Sequence, residues 1–106
     1  MSVPTSSPPI PDALDLAETK ARTAPRFRVI CHDDPCTTTV FVVSVLRGVF
    51  RLPEARAVER MLCVHHTGTA VVGCYPQSLA ERRVQRATAT ARANGYPLTF
   101  TGEQDA

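Results

Sequence analysis

At 106 residues, 43% of them hydrophobic, the chain is long enough for one domain with a single modest core. A formal net charge of +2 is too close to neutral to argue for nucleic acid or an anionic membrane as a partner, and no apolar run approaches the length of a bilayer span. Met1 to Ala24 has no apolar signal-peptide core and carries Asp12, Asp15 and Glu18, so a reducing cytoplasm is expected, with Cys31, Cys36, Cys63 and Cys74 as thiols.

Pro4, Pro8, Pro9 and Pro11 crowd the start of the chain, and residues 1–25 read as a flexible extension. Within it, Asp12 to Arg22 places acid early and base late, enough for a transient helical turn. A core domain is expected over 26–102 and a disordered tail over 103–106. Arg26 to Cys31 reads as a strand entering the core, and His32-Asp33-Asp34-Pro35 ends it. Thr37 to Phe50 is ambiguous. Its β-branched residues favour a strand, whereas Val42, Val45, Leu46 and Val49 form a helical stripe behind N-cap hydroxyls at Thr37 to Thr39.

Pro53 at a first helical position, with Glu54 behind it, opens a helix to about His66. Its apolar stripe is read as Val58, Met61, Leu62 and His65, so the core-facing side ends in an imidazole. Thr67-Gly68 turns the chain into a valine-rich strand, Thr69 to Tyr75. Pro76 starts a third helix that buries Ala80, Val84, Ala87 and Ala91 and stops at Asn94-Gly95, and Tyr96 to Thr101 is a last short strand. The order β-α-α-β-α-β implies a small α/β two-layer sandwich: a three-stranded, mainly antiparallel sheet on three helices.

Three chemistries compete for these residues. A zinc site would draw on Cys31, His32, Cys36, Cys63, His65 and Cys74, but Cys31 and Cys36 are spaced more widely than a usual ligand pair, while Cys63 and His65 diverge on a helix. A cysteine hydrolase would use Cys36 or Cys63 with His65, yet no glycine-rich oxyanion loop follows either thiol. The third chemistry is a binding pocket. With the first strand beside the second helix, Asp33 and Asp34 come near His65, and such acceptors want a cation. Met61, Val64 and Leu98 supply an apolar cup beside them. An ammonium next to an apolar side chain describes the N-terminal residue of a protein.

The runs FRVICHDDPCTTTVFVVSVL, RMLCVHHTGTAVVGCY and AERRVQRATATARANGYPLTFT resemble the ClpS family, adaptors that bring N-degron substrates to ClpA- or ClpC-type unfoldases. The resemblance covers about Arg26 to Thr101 and implies a helix over Thr39 to Phe50. It also implies a monomeric, non-enzymatic protein with no cofactor and no bound metal. Carried over residue by residue, the α-amine falls to Asp33, Asp34 and His65. The side-chain pocket falls to Thr39, Val42, Met61, Val64 and Leu98, and the substrate backbone to Thr37. The unfoldase docks near Ser78 to Arg83 of the third helix. The chain departs from the family pattern where Asp33 replaces the usual Asn, Pro35 an Asp, and Thr39 the methionine that gates the pocket. A domain that keeps this fold but has lost degron recognition is the alternative.

Overall fold

A computed structural model describes residues 26–105; the proline-rich extension and Ala106 lie outside the described residues. The elements follow the expected order: β1 (Arg26–His32), α1 (Thr39–Gly48), α2 (Glu54–Thr67), β2 (Thr69–Pro76), α3 (Gln77–Ala93) and β3 (Thr99–Asp105). The strands form one antiparallel sheet in the order β2-β1-β3. The first strand in sequence is therefore the central one.

Side chains alternate across the sheet. Val29 and Cys31 of β1, Ala70 and Val72 of β2 and Phe100 of β3 are buried, and they pack with the helices in one core. Arg28 and Glu103 pair at 2.9 Å on the polar side, where His32 Nε2 and Thr101 Oγ1 also meet at 2.8 Å. The β1–β2 register shifts between Val29 and Ile30, which face Gly73 and Val71, leaving Val72 as the extra residue of a bulge. A Cβ on Gly73 would stand 2.7 Å from the Tyr75 hydroxyl, so the glycine leaves room for that ring.

α1 resolves the conflict between propensity and periodicity. Val42, Val45, Leu46 and Val49 are all buried, and the area they remove from water outweighs the χ1 restriction of β-branched residues in a helix. Of the three candidate caps, Thr38 serves: its hydroxyl accepts from Phe41 N at 3.1 Å. α3 lies close against the sheet because Ala80, Ala87 and Ala91 are small and buried, with Val84 half-buried beside them.

Several boundaries and one face differ from the sequence reading. Pro53 and Pro76 are N-caps, one residue ahead of their helices. On α2 the core-facing residues are Ala57, Met61 and Val64, whereas Leu62, assigned to the stripe, is 44% exposed. The two readings differ by one position, about 100° of rotation. Tyr96 is not in the last strand. Its N–H closes the end of α3 on Ala91 O at 2.9 Å, behind Gly95 at φ 80°, and its ring lies against Phe41 with centroids 4.5 Å apart. Strand β3 starts at Thr99 and continues past Thr101. Glu103, Gln104 and Asp105, expected in a tail, pair with Arg28, Phe27 and Arg26. Backbone bonds hold that end, and its exposed polar side chains give hydropathy nothing to detect.

Candidate functional site

The exit of β1 and the end of α2 are tied by one backbone bond, Asp33 N–H to Gly68 O at 2.9 Å. Gly68 can present that carbonyl because it caps α2 in the left-handed region, φ 93°, while its own N–H returns to Val64 O at 2.8 Å. This contact brings the Asp33-Asp34 pair to the helix end that carries His65.

The loop that follows is built around Asp34. One carboxylate oxygen accepts from Cys36 N at 2.7 Å and Thr37 N at 3.1 Å, and the other accepts from the Thr37 hydroxyl. A side chain folded back on the backbone two and three residues on is the usual way aspartate makes a turn. A carboxylate has about four lone-pair sites, so three are occupied and one is left open. Asp33 is exposed, and its carboxylate has no partner among the described residues. His65 is exposed too; its ring meets His66 edge-on, centroids 5.4 Å apart, and its nitrogens bond to no described residue.

Asp33, Asp34, Pro35, Thr37, Thr39, Val42, Met61, Val64 and His65 line one cleft of about 130 Å³. Its inner part is aliphatic, with Val42 and Val64 buried and Met61 half-buried; its rim is polar, with Thr39 exposed. Two residues before Asp33 and buried in the core, the Cys31 thiol is pushed up to about 12, first by burial and then by the charges of Asp33 and Asp34. Cys31 thus stays protonated at neutral pH.

Leu98 is the one pocket residue of the sequence reading that does not line the cleft. It is fully buried in the core just ahead of β3, and its carbonyl accepts from Arg92 at 2.9 Å. Pro35 lines the cleft instead, a residue the sequence marked only as a departure. The structural task of Asp34 was also missed, although Asp34 followed at i+2 and i+3 by Cys36 and Thr37 has the spacing of such a turn. Ser78 and Arg83 lie on α3 and form no part of the cleft. Ser78 is exposed in the first turn, and Arg83 stacks over Tyr75 with its guanidinium carbon 5.3 Å from the ring centroid.

The family model described as ATP-dependent Clp protease adaptor protein ClpS matches residues 22–101. The chain belongs to the ClpS family. Among its ClpS relatives, the adapter ClpS 1 of Rhodopseudomonas palustris is 43% identical over 84% of this chain and 86% of its own length. The ClpS adapter of Oleidesulfovibrio alaskensis is 41% identical over 88% and 89%. Agrobacterium tumefaciens ClpS2, solved bound to L-phenylalaninamide, superposes with a TM-score of 0.74 at 33% identity, covering 76% of this chain and 98% of that one. These ClpS relatives are named as adapters, not as enzymes. No helix among the described residues is long and apolar enough to cross a membrane.

Proposed function

We propose that the chain is a cytoplasmic, monomeric adaptor that captures proteins by a free N-terminal residue and hands them to a ClpA- or ClpC-type unfoldase of the Clp protease. One observation carries this reading: acceptors from two segments, Asp33-Asp34 and His65, border an aliphatic recess of Val42, Met61 and Val64 in a single cleft. L-phenylalaninamide, the ligand of the ClpS2 relative, has the matching parts, an α-ammonium beside an aromatic side chain, with an amide in place of the next peptide bond.

In this chain the ammonium sits among the Asp33 carboxylate, the last lone pair of Asp34 and the His65 imidazole. The Thr37 hydroxyl spends its proton on Asp34, so its oxygen is left to accept from the substrate's first peptide N–H. The first side chain enters the recess. An apolar cavity of ~150 Å³ takes a benzene molecule, so about 130 Å³ with an open mouth is the right scale for Leu or Phe. Each charge-assisted hydrogen bond contributes roughly 1.5–3 kcal/mol and the buried side chain about the same. Less the cost of ordering a peptide end, this supports a roughly micromolar complex, loose enough to hand substrate on.

An array of peptides that differ only in their first residue tests the reading. Leu, Phe, Tyr and Trp are expected to bind, and a flat response across the array contradicts the adaptor function. Thr39 at the rim is short and exposed, so Ile and Val are expected within about tenfold of Leu, with Thr39→Met cutting them back. Binding confined to Leu, Phe, Tyr and Trp would remove the role given to Thr39.

Delivery calls for a second surface, which we assign to α3 near Ser78 and Arg83, and for a segment the unfoldase can grip. Residues 1–25, rich in proline, suit the second task. Removing Met1 to Ala24 is expected to leave peptide affinity unchanged and to slow degradation of a Leu-initiated reporter by the unfoldase–protease. Loss of both functions together would contradict this division of labour.

A further inference from the structure

Cross-strand pairing sets Phe100 and Gly102 of β3 opposite Cys31 and Val29 of β1, whose side chains are buried under the helices. Gly102 therefore leaves a gap in the helix-facing side of the sheet where a side chain would stand. Because β3 is an edge strand, the gap opens to solvent as a groove of about 220 Å³ beside the first half of α3. Phe27, Ala80 and Val84 give it an apolar floor, with Phe27 and Val84 only half-buried, and Glu81 and Gln85 stand exposed at its rim. It shares no residue with the peptide cleft.

The chain itself supplies a cover. The N-terminal extension joins β1 at Arg26, one residue before the Phe27 ring that floors the groove. Within the extension, and outside the described residues, Ala13, Leu16, Ala17 and Lys20 recur at i, i+3, i+4 and i+7, the spacing of one helix face. So short a helix is marginal alone, and an apolar surface to lie on is what it lacks. Arg26 is six residues past Lys20, a reach of up to ~20 Å at about 3.3–3.6 Å per residue, enough to fold back over the groove. Since ~150 Å³ holds a benzene, 220 Å³ has room for a leucine side chain with an alanine methyl beside it. With Leu16 on Phe27 and Val84, Lys20 comes one turn further along, where the Glu81 carboxylate at the rim bonds only to Gln77, at 3.0 Å, among the described residues.

We propose that this groove docks the chain's own residues 13–20, with Leu16 on the Phe27 ring and Lys20 beside Glu81. Docking leaves the proline-rich residues 1–11 ahead of the docked turn. That they are what an unfoldase grips rests on the delivery reading above; the docking itself does not, and the experiment that tests it contains no unfoldase.

Amide chemical shifts of the isotope-labelled full chain are compared with those of its Leu16→Asp variant, whose substitution lies ahead of the residues that build the core. Changes are expected at Phe27, at residues 80–85 and at Gly102, with residues 33–39 and 61–68 unmoved. Trypsin is expected to cut after Lys20 about fivefold faster in the variant, because cutting follows the undocked fraction and the tether keeps that fraction small in the parent. Gly102→Leu fills the groove from the other side. Its Cβ would meet Arg28 O at 3.8 Å and Phe27 Cδ2 at 3.9 Å, ordinary contacts, and the same gain in cutting after Lys20 is expected. Parent and Leu16→Asp spectra that coincide at the groove overturn the docking, as does an unchanged rate of cutting. Changes confined to residues 33–39 and 61–68 place the segment on the peptide cleft and overturn it too. Groove changes that vanish on about tenfold dilution assign the groove to the extension of a second copy, which contradicts docking within one chain.

Discussion

Acetylating the N-terminus of a Leu- or Phe-initiated peptide is expected to weaken its complex by roughly a hundredfold or more. The modification removes the positive charge and leaves one N–H where three stood. It also places an acetyl group against Asp33, Asp34 and His65, three acceptors that gain nothing from its carbonyl. Two lost charge-assisted bonds at roughly 1.5–3 kcal/mol each suffice for the hundredfold. The same logic sets the alkaline limb of the pH profile. A free α-amine titrates near ~7.7–8, and the protonated form is the ligand, so affinity is expected to fall as pH rises through that range. Equal affinity of blocked and free peptides would exclude the amine from recognition, whatever the side-chain preference.

Asp34→Ala is expected to have the second largest effect, because it acts twice. It removes a carboxylate from the amine site, and it strips Cys36 N, Thr37 N and the Thr37 hydroxyl of their shared acceptor. Peptide affinity is expected to fall about a hundredfold, and unfolding stability by about 1–2 kcal/mol, since water can reach part of this loop. His65→Ala provides the contrast. That ring is exposed and, among the described residues, packs edge-on against His66 alone, so its removal is expected to cost roughly tenfold in affinity with no measurable change in stability. Denaturant titrations beside peptide titrations separate the two effects. An Asp34→Ala protein that binds peptide normally contradicts the role given to the loop.

The order of elements was legible because punctuation and periodicity agree along most of the chain. Pro53, Gly68, Pro76 and Gly95 mark helix ends where the structure has them, and the alanines of α3 recur at helical spacing on its buried side. α1 was harder: its composition favours a strand, and only burial of Val42, Val45, Leu46 and Val49 against the rest of the molecule decides for a helix. The end of β3 left no trace in hydropathy because it is held by backbone pairing with β1.

At the site, the pairing of Asp33-Asp34 with His65 could be read from the strand–helix arrangement together with the family resemblance. The bond that creates it, Asp33 N to Gly68 O, involves only backbone atoms and has no side-chain signature. Leu98, expected at the pocket wall, lies in the core instead of lining the cleft, and sequence could not separate the two places. An apolar residue suits a pocket wall and a core equally well, and only its complete burial separates the two.

Amide chemical-shift changes in the isotope-labelled chain on titration with L-phenylalaninamide locate the ligand without presuming any residue's role. The largest changes are expected in two separate stretches, Asp33 to Thr39 and Met61 to Gly68, with α3 and β3 nearly silent. Saturable binding whose largest changes fall on α3 or β3, with those two stretches unmoved, would contradict a chain terminus held between the β1 exit and the end of α2.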